Sequence, residues 1–249
     1  MKKGFTLIEL IITIVLLGIV SVLGVNIIVP IFTGYTDTKT KNFLYNEAKF
    51  TFERIDRELR NAIPNTVRVS TDSSSLQFAL FSDAAYYDNV SDNGDNTDNI
   101  TCYDADNLTV GDNLSIYNTT ENYFFTNTTS EQRIYNITNL NSTGDIKRAK
   151  LDKKIISDSP YNRFFIINTP VTFCKNGNKI YRCFGYPIDN NFHCNDGICN
   201  VLTDYVNDVS FEYQAGTTQR TATVKISLTL TKNNLTLTYK HKVHVRNVP

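Results

Sequence analysis

Met1-Lys-Lys-Gly-Phe-Thr-Leu-Ile-Glu-Leu-Ile-Ile-Thr-Ile-Val-Leu-Leu-Gly-Ile-Val20 opens the chain, and the apolar run it begins continues to Phe32. Between Phe5 and Phe32 the sole ionisable side chain is Glu9. A helix needs about 20 apolar residues to cross a bilayer, and this run exceeds that length. Lys2 and Lys3 stand just before it. Positive charge beside a first span stays on the cytoplasmic side, so everything beyond Phe32 is expected outside.

Working outward, the pattern changes twice. Gly18, Gly24 and Pro30 interrupt the apolar run, which points to a kink or a hinge between Gly18 and Pro30. After Thr36, Leu44, Ala48, Phe52, Ile55, Leu59 and Ala62 recur at spacings of three and four. That spacing predicts an amphipathic helix, with Glu53–Arg57 and Asp56–Arg60 pairs on its wet face. Pro64 is expected to end it at Ile63, so a helix from Phe5 would be roughly 90 Å long. Beyond Pro64 the period becomes two. Leu76, Phe78 and Leu80 alternate, as do Val209, Phe211 and Tyr213. The runs Ala222–Leu230 and Leu235–Val245 flank Lys232-Asn-Asn234 and read as a hairpin. The expected fold is α+β: a long N-terminal helix packed on an antiparallel sheet. Residues 5–32 form the apolar segment, 33–63 the amphipathic helix and 64–249 a β-rich head. Between Ser82 and Asn141 the chain reads as loop-rich, with no firm strand pattern.

The order of features at the start carries the functional signal. A secretory signal places its small cleavage-site residue after the apolar stretch. Here Gly4 precedes it, so cutting after Gly4 would remove residues 1–4 and leave the apolar helix on the mature protein. Gly4, Phe5, Thr6, Leu7, Glu9 and Leu10 closely resemble the processing and methylation signature of type IV pilins and type II secretion pseudopilins. The resemblance implies cleavage between Gly4 and Phe5 by a prepilin peptidase, N-methylation of Phe5, and use of Glu9 in subunit assembly. It also implies other pilin subunits and an inner-membrane assembly platform as partners, and a hinge that can lose helix in a filament. Physics supports the Glu9 role separately. A carboxylate near the bilayer interior costs about 2.5–3.5 kcal/mol even on lenient scales, so it needs a partner. The new amine of a neighbouring Phe5 is a suitable one. Glu53 to Val69, Cys174 to Tyr186 and Lys242 to Pro249 are similar, over shorter matches, to MshO-type minor pilins of the mannose-sensitive haemagglutinin system.

Five cysteines, Cys102, Cys174, Cys183, Cys194 and Cys199, suit an oxidising compartment. Cys174 to Cys183 reads as a hairpin turning at Asn176-Gly-Asn178, with a disulfide across its arms. Cys194 to Cys199 reads as a tight Asp196-Gly197 loop closed by a second bridge. Cys102 is left unpaired or in an intermolecular link. Zinc held by these thiols and His193 is the alternative; the spacing is not a paired C-x-x-C. Asp92 to Asp98 is rich in oxygen ligands but lacks the EF-hand spacing and reads as a solvated turn, with calcium as the alternative.

The 25 basic residues balance the 25 acidic ones, so no net field favours nucleic acid. His241 and His244 fall on opposite faces of one strand and do not share a metal. There is no nucleophile elbow, phosphate loop or zincin motif. Asn-x-Ser/Thr triplets are numerous but follow from the composition. The expectation is a non-enzymatic minor pilin without cofactor or metal. It sits in the inner membrane before assembly and on the cell surface after it. A minor pseudopilin, a tip adhesin and a membrane-anchored hydrolase are the alternatives.

Overall fold

In the computed structural model the described residues are 4–89, 98–126, 128, 130–143, 146–216 and 220–245. One helix dominates: α1, Leu7–Arg60, is continuous through Gly18, Gly24 and Pro30 and is about 80 Å long. It is long and apolar enough to cross a membrane by length and composition. Every large apolar side chain from Phe5 to Tyr35 is more than half exposed. Thr13, Ser21 and Thr33 donate their hydroxyls to carbonyls of their own helix, at 2.8, 2.7 and 3.0 Å, so these groups need no external partner. From Thr40 the helix enters the head, burying Leu44, Ala48, Phe52, Ile55 and Leu59 along one stripe. It ends at Arg60 rather than at Ile63. The residue before a proline disfavours helix, and pairing captures the chain instead: Ala62 bridges Leu80, and the Ile63 N–H donates to the Ala79 carbonyl at 2.8 Å. On the wet face Asp56 pairs with Arg60 as expected, while Glu53 reaches back to Lys49 rather than forward to Arg57.

The head is antiparallel throughout its described ladders. β10 (Val206–Gln214), β11 (Ala222–Lys232) and β12 (Leu235–Val245) form a three-stranded sheet whose inner face covers the buried half of α1. The β11–β12 turn is the expected hairpin. Asn233 and Asn234 both take positive φ, 51° and 62°, which a two-residue turn of the right twist requires. The larger sheet runs β1 (Arg68–Val69), β2 (Ser75–Asn89), β3 (Asn99–Tyr103), β6 (Ile146–Leu151), β5 (Ile134–Thr143), β4 (Asn113–Ile116), β7 (Arg163–Asn176), β8 (Lys179–Phe184), β9 (Ile198–Thr203). β2 also pairs with β7, so six of these strands close a ring: β2-β3-β6-β5-β4-β7.

The segment expected to be mostly loop therefore builds much of a small closed barrel. Ala85, Tyr87, Ile100, Leu114, Ile137, Leu151, Phe164 and Ile166 fill its interior. Its two large buried tyrosines are satisfied locally. The Tyr87 hydroxyl bonds Asp158 and the Ser159 N–H, and the Tyr135 hydroxyl accepts from Ile156. Lys147 donates to the Asp106 and Leu108 carbonyls at 2.7 and 3.2 Å. β2 and β7 thread both cores. In β2, Leu76 and Phe78 face α1, whereas Ala85 and Tyr87 face the barrel interior. Register shifts on either side of Phe81 swap the faces between those two pairs.

Candidate functional site

The N-terminal residues come first because the sequence assigns them chemistry. Gly4 and Phe5 are exposed and lie in non-helical chain immediately before α1, and a Cβ added at Gly4 would meet nothing within 4 Å. Phe5 is 82% exposed. Thr6 is the N-cap, with φ −81° and ψ 152°, and it forms a reciprocal capping box with Glu9. The Thr6 N–H and hydroxyl both donate to Glu9 Oε2 at 2.9 Å, and the Glu9 N–H donates to the Thr6 hydroxyl at 3.4 Å. The Gly4–Phe5 bond thus sits in exposed, non-helical chain directly outside a helix whose start is fixed by its first turn. Among the described residues no cation of the chain pairs with Glu9; its partners are Thr6 atoms alone. The capping role was readable from the Thr6-Leu-Ile-Glu9 spacing and was not drawn from it.

The second constellation lies at the other end of α1, on the β7–β8–β9 face, and shares no contact with the first. The expected cysteine pairing is corrected here. Cys183 is bonded to Cys199, with Cα atoms 4.1 Å apart. β8–β9 register places these two residues directly opposite each other. Cys174 stands opposite Tyr181, and Cys183 opposite Thr172, so Cys174 and Cys183 are diagonal neighbours. Diagonal positions are about 7–8 Å apart, too far for an unstrained bridge. Cys199 is held in β9 by its partner strand, which removes it from the expected Cys194 loop. Cys174 and Cys194 carry thiols, as does Cys102. Cys102 points into the barrel with no exposed surface, and burial pushes its pKa up to about 12 despite nearby Lys147, so no second chain reaches it.

His193 does not join the thiols as a zinc ligand would. Its Nδ1 meets Asp196 Oδ2 and its Nε2 meets Asp189 Oδ1, both at 2.9 Å, and its ring stacks on Tyr186 at 4.4 Å. Burial pulls the imidazole pKa down, but the two carboxylates outweigh it and raise it above its ordinary value. The same segment serves a buried cation. Arg68 donates to Gln77 Oε1 at 2.7 Å, Asn190 Oδ1 at 2.8 Å and the Asn191 carbonyl at 2.9 Å. Its guanidinium lies between the rings of Phe125 and Phe192, at 4.1 and 4.6 Å. Desolvation lowers its pKa to about 10, against the pull of Tyr186 and Asp189, so it stays charged at neutral pH. Nothing in the local sequence around Arg68 signalled this. Its partners come from 9 to 123 positions away in the chain.

Two further expectations meet the structure. His241 faces the helix and stacks on Phe52 at 5.2 Å, while His244 lies on the outer face, so they are divided as the strand period requires. The Asp92–Asp98 cluster lies outside the described residues except for Asp98, which forms a weak pair with Lys150 at 3.9 Å.

Residues 1–25 match the prokaryotic N-terminal methylation motif. No curated protein and no solved structure matched the chain. The motif supports a type IV pilin- or pseudopilin-like protein, and with the apolar helix it supports membrane anchoring.

Proposed function

We propose that this chain is a minor type IV pilin, a non-enzymatic subunit that takes part in starting, building or capping a pilus. The observation that carries the reading is the division of α1. Its motif-bearing half leaves every large apolar side chain exposed, while its other half is built into the head. An apolar surface of that length needs lipid before assembly and like helices after it. Hydrolysis of the Gly4–Phe5 bond by a prepilin peptidase would free the Phe5 amine, and methylation of that amine keeps its positive charge. The amine then supplies the cation that Glu9 of an adjacent subunit lacks. In this reading the head is extracytoplasmic, the membrane assembly platform and other pilins are the partners, and the finer kinship is to MshO-type minor pilins.

Glu9→Val separates anchoring from assembly. The span becomes more apolar, so insertion is retained, but a partner's Phe5 amine loses its counter-ion. The variant is expected in the membrane, cleaved to an N-terminus at methylated Phe5 by mass spectrometry, and depleted from purified filaments. Gly4→Leu is expected to accumulate uncut precursor. Wild-type incorporation of the Glu9 variant would sink the pairing, and a mature N-terminus beyond residue 20 would sink the whole assignment. The same architecture serves a minor pseudopilin of type II secretion; recovery of the protein with secretion-system subunits rather than with pili would select that reading.

A further inference from the structure

Three of the four late sulfurs crowd around one backbone oxygen, that of the fourth cysteine. The Cys194 carbonyl lies 3.3 Å from Cys183 Sγ, 3.7 Å from Cys174 Sγ and 3.8 Å from Cys199 Sγ. With Cys183 and Cys199 joined, Cys174 and Cys194 remain, the Cys174 sulfur 3.7 Å from the Cys194 backbone. Cys174 is fully buried on β7, while Cys194 is half-buried in the irregular segment 185–197 that joins β8 to β9.

We infer that Cys174 and Cys194 close a second disulfide beside Cys183–Cys199, and that Cys194 is the thiol that reacts first with the oxidant. The bridge would tie segment 185–197 to the centre of the sheet. That segment has no strand pairing of its own, yet it supplies Asp189, Asn190 and Asn191 to the buried Arg68 and carries the His193 clasp. A covalent anchor at Cys194 would add to the hydrogen bonds that already hold this irregular stretch.

The order of reaction follows from the surroundings. Cys194 is the accessible member, its Sγ lies 3.4 Å from Ser75 Oγ, and the neighbouring Cys174 and Ser75 lower its pKa even against partial burial, which favours its thiolate. Cys174 is the reverse case: the neighbouring Cys194 sulfur and full burial raise its pKa, so its thiol form is favoured. The oxidant is a protein disulfide of an extracytoplasmic thiol oxidoreductase. The Cys194 thiolate attacks one of its sulfurs, breaking that S–S bond and forming a mixed disulfide; the displaced sulfur leaves as a thiolate and takes a proton. Cys174 then yields its proton, attacks Cys194 Sγ and displaces the second oxidoreductase sulfur. Two thiols of this chain are oxidised by two electrons, and one oxidant disulfide becomes a dithiol.

The presence of that oxidant rests on the extracytoplasmic placement of the head, and the established bridge provides the control. The full-length chain, extracted from membranes in detergent, is denatured without reductant, alkylated and mapped as peptides. Labelling at Cys102 alone, with a Cys174–Cys194 linked peptide, is expected. A Cys183–Cys199 link with Cys174 and Cys194 both alkylated would overturn the inference while leaving the placement intact. Alkylation of all five cysteines would overturn both. Two variants test the order. Cys174→Ser is expected to trap Cys194 in a mixed disulfide with the oxidoreductase or a small thiol. Cys194→Ser is expected to leave Cys174 as an unmodified thiol, detected only after denaturation. Equal trapping in both variants would overturn the assignment of Cys194 as the first nucleophile.

Discussion

His193 makes the head sensitive to pH through one imidazole and two carboxylates. Its pKa is raised above 6.5, so the folded protein holds the proton more tightly than the unfolded chain does. The stability this contributes is complete below about pH 6.5 and is lost as pH rises through the folded value. Asp189 works in the opposite direction. Burial raises its pKa, but the Asn191 N–H and His193 outweigh it and hold it below 3.8. Its contribution is present above that value and is lost as pH falls through the folded one. Thermal melts of the detergent-solubilised chain should therefore show Tm falling as pH rises above about 6.5, the value of an ordinary histidine. His193→Gln should flatten that fall, and an unchanged slope in the variant would refute the clasp. A nearby glycine is also fixed by geometry. Gly197 has φ +73°, and a Cβ there would run into the Phe184 carbonyl, so the turn that delivers Cys199 to β9 admits no side chain.

At the scale of elements, the docking of α1 depends on more than its apolar stripe. Glu58 is 6% exposed and accepts Arg182 Nε from β8 at 2.8 and 2.9 Å, with Arg54 of its own helix as a second cation. Arg182 also lies 4.5 Å from the centre of the Phe184 ring. The pair locks helix rotation relative to β8, which an oily stripe alone leaves looser. Removing one member leaves a poorly hydrated charge, so Glu58→Ala should cost about 3 kcal/mol in equilibrium unfolding. Hydrogen exchange should quicken in the buried half of α1 and in β8 first. A change under about 0.5 kcal/mol would mean that water reaches Arg182 and the pair adds little. The exposed half of α1 should be unaffected, because it makes no buried contact with the head.

The whole molecule has one core around α1 and another inside the barrel. They are bridged by β2, β7 and a third cluster containing Ile63, Phe124, Phe125 and Phe165. Leu114 has no exposed surface and belongs to the barrel interior alone. Leu114→Ala should remove about 2–5 kcal/mol of stability, from lost burial and the cavity left behind. Exchange protection should fall across β3 to β6 and persist in β10 to β12. Equal loss in both regions would show that the two cores unfold as one unit.

The sequence by itself determined the helix, its division into a lipid-like and an amphipathic half, the terminal hairpin and the motif at Gly4, Phe5 and Glu9. Each is a local pattern. A charge-free run, a spacing of three and four, and strict alternation around two asparagines need no knowledge of distant residues. Tertiary structure alone decided the barrel, the Arg68 site and the cysteine pairing. The barrel hides because shifts around Phe81 reverse the alternation, and because its closure pairs β2 with β7 and β3 with β6 across long stretches of chain. Spacing in the sequence favoured Cys174 with Cys183, but the ladder sets those two diagonally rather than opposite each other. The register of β8 on β9 placed Cys183 against Cys199, and only the folded sheet contains that register.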